Sequence, residues 1–272
     1  MFMGEMVMSM VQAYQKAFSA YKAHFLRFFV CLLLGYAANG AVYAFWITKL
    51  YASAQSEKAA FAAALLEIFL TNTFAFLANI PICICLLRHL SPQGLPAQGT
   101  FRAWLPRTFC AFAVNFVATL PLQSVSALRR LPESALRPAV TAVFLASIVG
   151  SLLLIPASAY APAQALKTGC GPVRAFTRSM TLFYRRFFKA LGMYLQIAVV
   201  FALISRVLDF VAFRWFPAAV IAQVENRYLF TFLSGSVPFL ISDILMPVRQ
   251  ALVIQMFDVL DETEKTAKNK VY

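Results

Sequence analysis

The sequence predicts an all-α polytopic membrane bundle: six transmembrane helices accompanied by interfacial amphipathic helices, in one integral membrane domain over residues 1–272. Three observations predict it. The first is composition: of 272 residues, 61% are hydrophobic and 13% charged, with a mean hydropathy of +0.72. A soluble chain is nearer half apolar and a quarter charged, so there is too little polar surface here to cover a water-soluble globule. An aromatic content of 15% excludes a disordered chain. The second is a series of charge-free runs of membrane-spanning length. The third is the distribution of Lys and Arg between alternate connections.

The elements follow in chain order. Residues 1–24 form an amphipathic lead in which Met3, Val7, Met10, Tyr14, Phe18, Tyr21 and Phe25 share one helical face, the pattern of a helix lying in the membrane interface. A span needs about 20 apolar residues. Phe28–Thr48 supplies 21 without Asp, Glu, Lys or Arg, Ile68–Leu87 supplies 20 and Thr108–Leu128 supplies 21. Pro138–Leu166 supplies 29. Ala190–Ser205 and Tyr228–Ser242 are shorter, at 16 and 15 residues, and continue past Arg206 and Asp209 in the first and Asp243 in the second. The predicted spans are 25–48, 61–87, 108–128, 138–160, 190–212 and 228–250, with a cytoplasmic tail at 258–272. A closed β-barrel would show alternating segments of ~10 residues instead of continuous runs.

Between the fourth and fifth spans, Phe176, Met180, Phe183 and Phe187 line one face of Pro172–Lys189, and Arg174, Arg178 and Arg185 line another. Proline suits a first helical turn, so this reads as a second interfacial helix. A middle copy around Thr100–Arg107 is interrupted by Pro106. Pro81, Pro156 and Pro247 fall late in the second, fourth and sixth spans. Together these suggest three copies of interfacial helix, span and proline-kinked span.

The run Gly171-Pro172-Val173-Arg174-Ala175-Phe176-Thr177-Arg178-Ser179, continuing through Phe187 to Gly192, resembles a motif of the YciC-like family of six-helix bacterial membrane proteins. That family is related to the membrane domain of some glycerophosphodiester phosphodiesterases. Phe257-Asp258 resembles the aromatic–Asp pair that follows the sixth span in its members. The resemblance covers the second half of the chain and implies a polytopic fold. It does not imply phosphodiesterase activity, which resides in a separate soluble domain.

Orientation comes from charge. The lead, the second and fourth connections and the C-terminal end hold 16 Lys and Arg, against 7 in the first, third and fifth connections. The positive-inside rule then places both termini in the cytoplasm of a multi-pass inner-membrane protein. The formal net charge of +13 reads as topology and lipid contact. Arg174, Arg178, Arg185, Arg186 and Lys189 form a juxtamembrane cluster suited to anionic lipid head groups, and their place beside a membrane entry argues against nucleic acid.

Ionisable groups inside a membrane are costly and mark functional candidates. Counting depth at ~1.5 Å per residue pairs Glu67 with Arg206 near the outer leaflet, with Asp209 a turn further out. Asp243 falls toward the cytoplasmic side, with Arg27 or Arg249 as partner. These four residues, Glu67, Arg206, Asp209 and Asp243, are either a polar path or structural ion pairs. Asn39, Asn72, Asn79, Asn115 and Gln196 read as interhelical hydrogen-bonding groups. No catalytic residue, metal site or cofactor is expected. Cys83-Ile84-Cys85 points its sulfurs to different helix sides. His24 and His89 are expected at solvated borders. Ser234-Gly235-Ser236 departs from the Gly-x-Ser-Gly of rhomboid proteases, having Phe232 where glycine is required. The expected function is a non-enzymatic inner-membrane protein serving envelope maintenance or other membrane proteins. The alternative is a small-solute or lipid transporter using the four intramembrane charges.

Overall fold

The computed structural model describes residues 2–47, 49, 56–92, 95, 101–128, 154, 156, 158–216 and 223–269, and no strand occurs among them. The helices are α1 (Phe2–Val42), α2 (Glu57–Leu90), α3 (Phe101–Leu128), α4 (Ala161–Thr168), α5 (Pro172–Arg185), α6 (Phe187–Phe210), α7 (Arg227–Ser242) and α8 (Met246–Asn269). π-Helical turns extend α1 over Tyr43–Ile47 and α6 over Val211–Trp215. Among the described residues, three segments are long and apolar enough to cross a membrane, Val11–Val42, Phe69–Leu90 and Phe187–Trp215. α7 and α8 qualify jointly as a fourth, bent by 42° at their junction. The protein is a helical membrane protein on these segments. Nearly all of the predicted fourth span, 138–160, lies outside the described residues, and α3 covers the third.

Local sequence explains the helix ends. Ser56 caps α2 by accepting from the Ala59 amide at 3.2 Å. Asn226 caps α7 by accepting from the amides of Tyr228 and Leu229 at 3.0 and 3.1 Å. Each satisfies donors that have no partner within the helix. α4 ends on Gly169, whose φ of 69° is the left-handed conformation glycine tolerates. There Arg107 donates to the last carbonyls, Leu166 at 2.9 Å and Lys167 at 3.0 Å. The Gly169-Cys170-Gly171 turn then leads into α5, with Pro172 in its first turn.

Several expected boundaries move. The lead and first span are one uninterrupted helix of 41 residues, so there is no division at residue 24. The buried face of this helix is Ala17, Ala20, Phe28, Leu32 and Tyr36, whereas Phe18 and Phe25 are each 42% exposed. Small residues face inward because α8 packs closely there, with Gln255 donating to the Ala13 carbonyl at 3.1 Å. Pro106 does not interrupt the middle segment, since α3 starts at Phe101 and runs through it. α5 is present and separated from α6 by Arg186 (φ −130°, ψ 45°). It buries Ala175, Ser179, Leu182 and Phe183, with Phe176, Met180 and Phe187 packed beside them. Pro81 stands inside α2, while Pro247 stands in the first turn of α8.

α1 is the axis of the bundle. It packs antiparallel to α2 and to the α7–α8 rod, while α6 packs on α5, α7 and α8. Glycines set the closest contacts. A Cβ on Gly35 would lie 2.4 Å from the Ala78 Cβ, and one on Gly40 would lie 2.6 Å from the Phe232 carbonyl oxygen. Asn39 donates to the Gly235 carbonyl at 2.9 Å, an interhelical bond of the kind membrane helices use. Ser234-Gly235-Ser236 is therefore a packing surface.

At one end of the bundle, Ser91, Lys167 and Asp258 converge. Lys167 Nζ lies 2.5 Å from Ser91 Oγ and 3.0 Å from Asp258 Oδ1. Arg178 pairs with Asp261 at 2.5 Å. The segments whose Lys and Arg counts put them on one side of the membrane thus meet there.

Gly40→Ala is expected to lower stability in detergent by about 1–3 kcal/mol, the usual cost of overpacking. Gly192→Ala is expected to change it by less than about 0.5 kcal/mol, because a Cβ there meets nothing within 4 Å. Thermal and denaturant unfolding of both variants checks this.

Candidate functional site

The α7–α8 junction is a break inside the bundle. Asp243, Ile244 and Leu245 leave the helix, so part of the i→i−4 ladder is lost. Buried backbone groups must find partners, since lipid supplies none. Tight bonds recover some: the Ile244 amide donates to Ile241 at 3.4 Å, and the Met246 amide donates to Asp243 at 2.9 Å. α1 adds hydrogen bonds at two levels. The Tyr21 hydroxyl donates to the Ile244 carbonyl at 3.0 Å, and the Tyr36 hydroxyl donates to the Asp243 carboxylate. Tyr36 also stacks on Phe239, with ring centroids 6.1 Å apart.

Beside the break lies a cavity of about 370 Å³. Asn79 of α2, Asn115 of α3 and Tyr194 of α6 line it, with Asp243 of the junction and Arg249 and Gln250 of α8. Asn79 Oδ1 and Gln250 Oε1 are buried with no hydrogen-bond partner among the described residues. Such groups are uncommon in a finished core, where leaving one unpaired costs about 1–3 kcal/mol. The carboxylate of Asp243, the guanidinium of the exposed Arg249 and two unsatisfied amides therefore stand out in the lining of a small, otherwise largely apolar cavity.

The four intramembrane charges are distributed differently from the expected pairs. Glu67 is 5% exposed and accepts a hydrogen bond from the Tyr43 hydroxyl in the π turn after α1. Arg206 is exposed on α6 among Leu203, Val207 and Phe210, and α6 packs chiefly on α5, α7 and α8. Asp209 accepts from Ser242 Oγ at 2.8 Å, which brings it beside the break. Depth counting puts Asp209 and Asp243 toward opposite faces, whereas Ser242 brings them together; the fifth helix continues past Asp209 through its π turn to Trp215, where Phe213 meets Phe239 at 5.5 Å. Asp243 shares its cavity with Arg249, as expected, whereas Arg27 lines a separate groove between α1 and α2.

The basic cluster of α5 and early α6 is partly committed to the protein itself. Arg178 holds Asp261, while Arg174 and Arg185 are exposed and Arg186 and Lys189 half-buried. The Phe257-Asp258 pair has a visible structural role. Phe257 is fully buried and stacks on Tyr160 at 4.8 Å, and Asp258 takes Lys167.

Compared with known proteins, the chain matches no family model, no curated protein and no solved structure. The site has to be understood from its own chemistry.

Residue counting overlooked Tyr36 and Tyr43, because partners for the acids were sought among cations. A neutral hydroxyl also donates to a carboxylate and brings no second charge into lipid. The available signal was the presence of tyrosines within the first predicted span. Tyr36→Phe is expected to cost about 1–3 kcal/mol by stranding Asp243, and Asp243→Asn to cost less, since its amide oxygen still accepts. For Lys167→Met and Asp258→Asn, a double-mutant cycle is expected to give a coupling of about 0.5–3 kcal/mol. Unfolding in detergent measures both.

Proposed function

We propose that this is a non-enzymatic inner-membrane carrier with six spans and both termini in the cytoplasm. It binds a small polar solute at the α7–α8 break. The observation that carries the reading is the pairing of a discontinuous helix with a cavity that carries a few converging polar groups at the same point. Secondary transporters build their sites in this way, from half-helix ends and unwound backbone that line a cavity near the membrane midplane. The volume of about 370 Å³ lies at the small end of ligand pockets. Asp243 favours a cationic or hydroxyl group and Arg249 an anionic one, so a small zwitterion is the solute class that uses both.

The six-span topology is part of the proposal. Its spans are α1, α2, α3, residues 138–160, α6 and the α7–α8 rod. It is supported by the meeting of Ser91, Lys167, Arg178 and Asp258 at the basic end of the bundle. The three-copy arrangement and the kinship with the YciC-like family belong to the same proposal. The antiparallel pairs α1–α2 and α6–α7 support the first, and residues 171–192 support the second.

A second reading, an accessory to other membrane proteins, is favoured by Arg206. It sits exposed on a span among Leu203, Val207 and Phe210, where a partner helix carrying an acid would relieve a charge in lipid.

Transport is tested with the full chain in liposomes and a panel of labelled zwitterions such as serine, proline and glycine betaine. Wild type is expected to take up at least one of them. Asp243→Asn is expected to abolish uptake while keeping its unfolding temperature, and Glu67→Gln to retain uptake. Absence of uptake across the panel, together with Arg206-dependent recovery of a membrane partner, overturns the carrier reading in favour of the accessory one.

A further inference from the structure

We propose that the groove between α1 and α2 at their His24–His89 end binds the head group of an anionic phospholipid. The groove measures about 810 Å³ and is lined by His24, Arg27, Arg88 and His89, with Cys31, Cys85 and Pro81 deeper along it. Among the described residues no carboxylate lines it. The His24 and His89 rings meet edge to face at 5.3 Å, which fixes the two basic rows at one level. His24 and Arg27 are three residues apart and so share a face of α1. Arg88 lies over Trp104 at 5.4 Å. Its planar fork of N–H donors suits a phosphodiester.

The apolar part of the surface selects a lipid over a free anion. From the basic end, Leu26, Val30, Leu33 and Leu34 run along α1 at helical spacing, with exposures of 71, 42, 43 and 65%, and Leu77 of α2 is 51% exposed. This stripe spans about 12 Å from Leu26 to Leu34, beginning at the level of the basic groups. A molecule that is anionic at one end and apolar beyond it covers both parts, whereas inorganic phosphate covers only the first. The site differs from the α5 cluster, where Arg178 is held by Asp261 at 2.5 Å. It is also separate from the Asp243 cavity, so its test stands apart from the transport reading.

Trp104 provides the reporter. The chain has three tryptophans, and Trp46→Phe with Trp215→Phe leaves Trp104 alone. The full chain in neutral detergent is titrated with brominated phosphatidylglycerol or brominated phosphatidylcholine, and quenching of Trp104 is followed. Phosphatidylglycerol is expected to bind about thirtyfold more tightly, which is ~2 kcal/mol for two basic side chains. Arg27→Gln is expected to remove most of that preference, and Arg174→Gln to leave it. Inorganic phosphate is expected not to relieve the quenching. Equal quenching by the two lipids overturns the proposal, and so does an unchanged preference in Arg27→Gln. Relief by inorganic phosphate assigns the groove to a free anion and overturns the lipid. Should Arg27→Gln fail to fold, the comparison of the two lipids in the reporter chain still decides.

Discussion

The close approach of α1 to its two neighbours governs the rest of the bundle. Gly35 lets α1 settle against Ala78 of α2, and Gly40 lets it settle against Phe232 and Ser236 of α7. In lipid no hydrophobic force brings helices together, so contact depends on packing and interhelical hydrogen bonds. Both need short interaxial distances. Only at such distances do Tyr36 and Tyr43 reach the carboxylates of Asp243 and Glu67, and only then does Asn39 reach the Gly235 carbonyl. A bulkier residue at Gly40 would therefore disturb the polar contacts as well as the packing.

The buried acids illustrate how a membrane protein keeps polar groups without many ions. A buried ion pair requires two desolvations, and attraction between its members often fails to offset them. A tyrosine supplies one donor and an apolar ring, so it satisfies the acid while adding to the core. Cations instead collect where water or head groups are near: Lys167 and Arg178 at one end, Arg27 and Arg88 along a groove. The exceptions are Arg249, at the cavity beside the break, and Arg206, on an apolar helix face.

The helical class and the amphipathic α5 were legible in the sequence because each follows from a local pattern: long charge-free runs or a period near 3.6. The charge pairing was not. Glu67 and Arg206 sit at compatible depths by residue counting, but depth says nothing about which helices adjoin. One longer-range detail also escaped: the fifth helix continues through its π turn at Val211–Trp215, and Asp209 meets Ser242 beside the break. The break itself falls in the sixth span, where a proline kink is expected. Pro247 has no N–H to offer the Asp243 carbonyl four residues earlier, and its ring crowds that carbonyl. Sequence named Asp243 and Arg249 of the cavity as a charge pair and Asn79 and Asn115 only as interhelical amides. What unites them is tertiary: α2, α3 and the α7–α8 junction meet there, and no local pattern relates them.

α1 also acts as a splint across the break, with Tyr36 and Asn39 holding α7 and Ala13 and Tyr21 holding α8. These contacts join positions 196–242 residues apart in sequence. In a chain inserted into the membrane as it is synthesised, α1 emerges long before α7 and α8. Its glycine and tyrosine faces must therefore wait, or be occupied by lipid or a chaperone, until α7 and α8 are made. The chamber at the break can close only after α1 to α7 have been synthesised, and its assembly reports that every earlier helix is in place.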